Sequence, residues 1–425
     1  MAHDPLSVIL LATQDTMGAG GFKASERLHR AYLANNIDSR MYVASKRSDL
    51  HTVDGPKNKF QQGFNFVKRR SERQLMRLQR SPNPIVHSPA FIPSNLSKKL
   101  NSAQAEVIHL HWICGFLSVE DIGKIQKPLV WTLHDMWPFS GAEHYGDDGS
   151  NARWRVGYYA DNRPDGHRGI DLDRWVWNRK RRAWKKPIHL VAPSQWLADC
   201  AKESVLMQNC PLSVIPYALD MERFRPWDQV MARQLLGLPQ DKQLVLFGAV
   251  GGNRDPRKGW DLLEPALANL ASELPNLAGV VFGQSEPPNP PKLGVPLYWM
   301  GYLYDEITLA LLYSAADVTV VPSRQDNLPQ SGTEAETCGC PVVAFKTCGL
   351  PSVVVHKQTG YLATPFESDD LAKGISWVLA DSERYRLLSH QARDRAVKLW
   401  SPEVVVKQYL EVYESAIESH RQNHP

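Results

Sequence analysis

The chain has 425 residues, of which 43% are hydrophobic and 22% charged, with a formal net charge of +4. Those proportions fit a soluble globular protein and exclude a disordered or low-complexity chain, and so small a net charge gives no argument for a nucleic-acid partner. No apolar run approaches the roughly 18 residues that span a bilayer, and the length is too great for one ordinary core, so two domains of about 200 residues each are expected. The first segment, MAHDPLSVILLATQD, has no basic leader and too short an apolar run for a signal peptide, so it reads as a buried strand over 7–12. A glycine cluster, TMGAGGF, follows, then a helix over about 22–35. Glycine suits such a tight strand-to-helix turn because it accepts positive φ. Further strands are expected over 38–43, 107–111, 129–133 and 188–192. The prolines Pro216 and Pro226 bracket a linker, IPYALDMERFRPW, between the halves. Beyond it, strands over 244–250, 279–282, 297–300, 318–321 and 342–345 alternate with helices near 260–273, 305–314, 331–338 and 368–379, and a last helix covers 402–420. Strand and helix alternate from end to end, which predicts an α/β protein with parallel sheets. Six cysteines form no CxxC pair and read as reduced, buried thiols in a cytoplasmic protein.

The chemistry concentrates in PSRQDNLPQSGTEAETCGCPVVAF, residues 322–345. It sets Asp326 and Glu334 on either side of an Asn327–Leu328–Pro329 turn, between one apolar strand and the next. A strand–loop–helix unit of this kind aims backbone N–H groups beyond the strand's carboxyl end, where they attract phosphate. Carboxylates beside a phosphate need hydroxyl donors, and sugars and ribose supply them. A plain helix N-terminus, with acids complementing the dipole, is the structural alternative. A second loop, GAVGGNRDPRKGWDLL, follows a strand and opens a helix near Trp260. It lacks the P-loop and dinucleotide glycine patterns, and its content is cationic: Arg254, Arg257 and Lys258. Fixed cations there would favour a leaving diphosphate as its charge develops.

The segment around Asp326 and Glu334 resembles the E-x7-E region of the retaining family 4 glycosyltransferases, which have the GT-B fold, and the trailing Glu334-Ala335-Glu336-Thr337-Cys338-Gly339-Cys340-Pro341-Val342 continues the likeness. Asp326 stands where that family usually has Glu, one methylene longer. DPRKG resembles the family's phosphate-binding lysine loop and matches Lys258 to that lysine, with Arg254 or Arg257 as its partner. Thr132-Leu133-His134 resembles a T-x-H whose imidazole helps form the sugar site, and Gly20 and Gly21 fall on the family's first glycine loop. The run from HLHW to HDMWPFSGAEHY is further similar to bacterial exopolysaccharide transferases of the colanic-acid type, without the cysteine-bearing insert that usually follows. The 215–227 linker resembles the family's interdomain hinge, with Ala218 at a usual glycine.

The resemblance implies two Rossmann-like domains with parallel sheets facing across a cleft: 1–216 for the acceptor, 217–400 for the nucleotide sugar, and a helix over 401–425 returning to the first. It implies a metal-independent, retaining transfer from a nucleotide-diphosphate sugar to a carbohydrate or lipid-linked glycan, with no further cofactor. His134, Asp326, Lys258 and Arg254 are the expected catalytic residues; Gly20, Gly21, Arg257, Asn327, Leu328 and Glu334 are expected to bind the donor. The rival readings are a GT-B nucleotide-sugar epimerase and a non-catalytic partner subunit.

Three other features carry alternatives. His109, His111 and Asp135 match no metal-binding spacing, and His111 with Trp112 is a candidate lining of the acceptor side. Asp171-x-Asp173 matches the D-x-D of metal-dependent transferases, but so short a pattern arises readily by chance. Two basic stretches, Lys68 to Arg80 and Arg174 to Lys186, the second interleaved with Trp175, Trp177 and Trp184, read either as solvated helix faces or as a peripheral contact with the inner face of the plasma membrane.

Overall fold

Runs of Val, Ile and Leu bounded by turn residues make strands buried on both faces, the condition of parallel sheets covered by helices. The computed structural model describes residues 6–16, 20–248 and 255–423. It divides the chain into two compact units: one runs to Tyr217 and resumes at Val405, and the other is Ala218–Val404.

In the first unit the strands are β1 (Ser7–Gln14), β2 (Asp38–Ser45), β3 (Val53–Asp54), β4 (Gln79–Arg80), β5 (Val107–Leu110), β6 (Leu129–Thr132), β7 (Arg168–Gly169), β8 (His189–Ala192) and β9 (Leu212–Val214). Seven of them form one sheet in the order β3-β2-β1-β5-β6-β8-β9, parallel throughout. β4 and β7 make a separate antiparallel pair. The winding reverses between β1 and β5, which is where an open α/β sheet offers a crevice at its carboxyl ends. Helix Gly20–Ala34 leaves β1 and buries Phe22, Leu28 and Tyr32. Helix Pro402–Asn423 supplies this unit with Tyr409 and Tyr413. The Tyr413 hydroxyl lies 2.6 Å from Tyr32 Oη and 2.6 Å from His109 Nδ1. His109 Nε2 and the Tyr409 hydroxyl each lie 2.8 Å from Thr132 Oγ1. All five side chains are buried, and the mutual bonds offset the desolvation of their polar atoms.

The second unit holds β10 (Gln243–Gly248), β11 (Leu277–Phe282), β12 (Leu297–Trp299), β13 (Val318–Val321), β14 (Val342–Phe345) and β15 (Gly360–Ala363), a parallel sheet in the order β12-β11-β10-β13-β14-β15. Its reversal lies between β10 and β13. Asp305 caps helix Glu306–Ala315 by accepting from Thr308 N–H, and Asp381 caps helix Ser382–Trp400 by accepting from Glu383 and Arg384 N–H. Each bond satisfies N–H groups that the first helical turn leaves open.

Candidate functional site

In the second unit the candidate residues gather where β10 and β13 end. Asp255 accepts from Arg257 N–H and starts a short 3-10 turn, Pro256–Lys258. Gly259 then takes φ 70°, and a Cβ there would lie 1.9 Å from Pro322 O, so only glycine lets this loop lie against the end of β13. The loop brings Lys258 Nζ to 2.6 Å from Asp326 Oδ2. Arg257 lies 3.4 Å from the same oxygen and donates to Gln325 O at 2.8 Å. Burial alone would raise the Asp326 carboxyl, but the Lys258 and Arg257 charges and the N–H of Asn327 more than offset it and hold its pKa below the usual range. Burial lowers the Lys258 ammonium, against the pull of Asp326. The result is an enclosed ion pair beside a turn in which Asn327 and Leu328 are both buried. Arg254 lies outside the described residues.

Helix Gln330–Thr337 follows Pro329 and carries Glu334, which is buried and accepts from Tyr313 Oη at 2.9 Å. Tyr313, on helix Glu306–Ala315, is a partner that local sequence spacing does not announce. Glu336, two residues on, is fully buried as well; it accepts from Thr359 at 2.6 Å and pairs with Arg395 at 3.3 Å. Burial pushes its pKa up to about 8, so it is a structural acid.

In the first unit, His134 lies just beyond β6. Its Nδ1 is 2.9 Å from the Tyr217 hydroxyl, its Nε2 is 3.1 Å from His111 Nδ1, and its ring stacks on Tyr217. A Cβ on Gly21 would meet the His134 ring at 3.0 Å, so glycine at the start of helix Gly20–Ala34 permits this approach. Burial lowers the His134 pKa to about 4 and the His109 pKa to about 3, and holds His111 well below its ordinary value. The imidazoles are therefore neutral at pH 7, able to exchange hydrogen bonds with hydroxyls but carrying no charge. Asp135 accepts from Trp112 Nε1 at 2.9 Å and binds His144 at 2.6 Å, and its charge only partly offsets the effect of burial on His134. His111 is buried against His134, and Trp112 is tied to Asp135 and stacks on His144.

The D-x-D acids part company. Asp171 caps helix Leu172–Ala183 and pairs with Arg153 at 2.7 Å, while Asp173 turns into the interior. The basic tryptophan stretch divides between interior and surface. Trp177 is 1% exposed, and Trp184 donates to Val119 O and packs against the core. Only Trp175 is exposed, with the Arg179 guanidinium 4.5 Å above its ring. The helix buries its apolar face to close the core, with Trp177 fully enclosed and Trp184 partly so.

Comparison with known proteins follows the same division of the chain. The family described as "Glycosyltransferase Family 4" matches residues 49–223, and "Glycosyl transferases group 1" matches residues 232–395. The D-inositol 3-phosphate glycosyltransferase of Saccharomonospora viridis is 31% identical over 334 residues, 74% of this chain and 71% of that protein. The protein of the same name from Segniliparus rotundus is 32% identical over 188 residues, 42% of this chain and 41% of that protein. The chain thus spans about half the length of several curated relatives that it matches, and about seven tenths of others. Among solved structures, HepE of Anabaena in complex with UDP-glucose is 17% identical, with a TM-score of 0.62 over 96% of this chain and 100% of that chain. That likeness, with two Rossmann-like parallel-sheet units, gives the GT-B fold class.

Proposed function

The chain belongs to the family 4, group 1 glycosyltransferases, and from that premise we propose that it moves a sugar, with retention of anomeric configuration, from a nucleoside-diphosphate donor to a hydroxyl of a carbohydrate or lipid-linked glycan. The observation that carries the reading is the Lys258–Asp326 pair at the ends of the strands flanking the sheet reversal of the second unit. That unit takes the donor. As the bond from the sugar's anomeric carbon to the diphosphate breaks, its electron pair passes to the phosphate oxygen. Lys258, Arg257 and Arg254 stabilise that developing charge, so they act more on the transition state than on the bound donor. The acceptor oxygen bonds to the same face of the sugar, and its proton passes to the departing phosphate. Asp326, anchored by Lys258, accepts from a hydroxyl of the transferred sugar. Glu334, oriented by Tyr313, accepts from ribose hydroxyls, and the backbone of Asn327 and Leu328 approaches the phosphates. His134 and the Gly20–Gly21 helix start in the first unit serve the sugar and acceptor hydroxyls. The cations take over charge neutralisation, so the transfer needs no catalytic metal.

The HepE complex with UDP-glucose supports a UDP-sugar as the first donor to try. The relatives named for D-inositol 3-phosphate support a polyol or sugar acceptor. No described helix is long and apolar enough to cross a membrane, and none of the cysteines is in a disulfide, which suits work on a cytoplasmic nucleotide sugar. The test is an acceptor-free screen of UDP-, GDP- and ADP-sugars for release of free nucleoside diphosphate. One donor class is expected to be hydrolysed above background and to raise the melting temperature. Release of an altered nucleotide sugar would replace the reading with epimerisation; no turnover and no thermal shift with any donor would remove it.

A further inference from the structure

A second constellation lies in the first unit, apart from every residue assigned above. His87, Glu143 and Asp173 bring one ligand atom each to within 4.8 Å of one another. His87 Nε2, Glu143 Oε2 and Asp173 Oδ1 are all buried and have no hydrogen-bond partner. Their other atoms are fixed. His87 Nδ1 lies 2.6 Å from Ile85 O, so that nitrogen carries the proton and Nε2 presents a lone pair. The Tyr158 hydroxyl donates to Glu143 Oε1, and Gln79 Nε2 donates to Asp173 Oδ2 at 2.7 Å. An imidazole lone pair and two carboxyls therefore face one another in the interior, an arrangement that repels itself unless a proton or a cation sits between.

The space suits a single ion. His87 Nε2 and Asp173 Oδ1 are 3.8 Å apart, and tetrahedral zinc, with bonds of about 2.0–2.2 Å, sets its ligands roughly 3.4 Å apart. A Cβ on Gly141 would meet both Glu143 Oε2 and Asp173 O at 2.7 Å, so the wall is tight. One imidazole with two carboxylates favours a transition-metal dication over magnesium or calcium, which prefer oxygen alone, and zinc over manganese.

We propose that His87, Glu143 and Asp173 bind one structural zinc-class dication. The ion joins two chain segments that also meet through the backbone: His87 bridges Glu143, and Ser88 N–H donates to Ala142 O at 2.7 Å. His144, next to Glu143, holds Asp135 beside His134, so the ion secures the loop that presents the imidazole.

The test uses the full chain, stripped with EDTA, reloaded with zinc chloride, passed through gel filtration and assayed for metal by mass spectrometry. Wild type is expected to retain about one zinc more per chain than His87→Ala or Glu143→Gln, and to melt several degrees higher with zinc than without, a response both variants lose. Equal zinc in wild type and variants overturns the assignment. So does a wild type without zinc whose Glu143→Gln form is as stable, because the two acids then merely share a proton. Should the variants not fold, cobalt replaces zinc in wild type: visible ligand-field bands from nitrogen and oxygen ligands support the site, and their absence overturns it.

Discussion

The two candidate sites use the same device, a strand ending in a loop that opens a helix, yet one is ionic and the other neutral. In the second unit Lys258 and Arg257 surround the Asp326 carboxylate, and burial does not discharge it because the cations are within 3.4 Å. In the first unit His134, His111 and His109 are enclosed, the neighbouring acid Asp135 is bonded to His144 and Trp112 and only partly offsets burial at His134, and burial leaves the imidazoles uncharged. Similar enclosure gives opposite electrostatics, decided by the first neighbour. An ionic site suits a diphosphate; a neutral imidazole suits hydroxyls.

The largest test of that contrast is Lys258→Ala. Removing the fixed cation is expected to cut turnover about 10²–10³-fold, by analogy with loss of one preorganised charge-stabilising donor; donor hydrolysis near the wild-type rate would collapse the ionic half. His134→Ala should cost less, about tenfold to a hundredfold in kcat/KM, the worth of one or two hydrogen bonds. Because this imidazole is neutral down to about pH 4, the wild-type rate should show no histidine inflection near pH 6.5, and such an inflection that vanished in His134→Ala would contradict its neutrality.

Stability against acid separates the two sites in another way. His109 and His134 titrate at about 3 and about 4 in the fold, against 6.5 as ordinary values. The unfolded chain therefore takes up protons first as pH falls through 6.5, so the stabilisation is complete above that point and drains away towards pH 4, by up to about 1.4 kcal/mol per pH unit for each such group. Asp326, held below its usual value of 3.8, contributes stability that is lost only at lower pH still. Melting temperatures measured from pH 7.5 to 4.5 should fall steadily, and a flat series would break the comparison. The smallest effect is expected at Glu336→Gln. Burial pushes the acid up to about 8 and an amide oxygen can still accept from Thr359 and Arg395, so the change should move stability by no more than about 1 kcal/mol, within the range of ordinary substitutions.

Much of this was legible from residue order alone. The central strands are apolar runs such as DVTVVP and PVVAF, and their enclosure on both faces is what makes them readable. The short edge strands β3, β9 and β15, two to four residues long, carry too little pattern to be seen, and the long helix Ser382–Trp400 buries only Leu388, Ala392, Ala396 and Trp400, too thin an apolar stripe to stand out among its charges. Within the second unit, Asp326 with Glu334 and, separately, Lys258 stand out in the sequence because each lies in its own short motif, although Lys258 meets Asp326 across 68 residues. Tyr313 and Tyr217 do not, because each reaches its partner across 21 and 83 residues through the winding of the sheet. The His87, Glu143 and Asp173 cluster escaped notice likewise, its members brought together only by the tertiary fold. The tryptophans of 174–186 left two readings open in the sequence, and helical periodicity turns Val176 and Trp177 inward while Arg174 and Trp175 stay exposed.

The hydroxyl of Tyr413 closes the network around His109 and Tyr32, although nearly the whole second unit is translated between them. A ribosome delivers the sheet of the first unit early, but the tyrosines that complete its interior emerge only after the second unit. Until then the His109 imidazole lacks its Tyr413 partner, so the interior of the first unit is completed only once the second has been made.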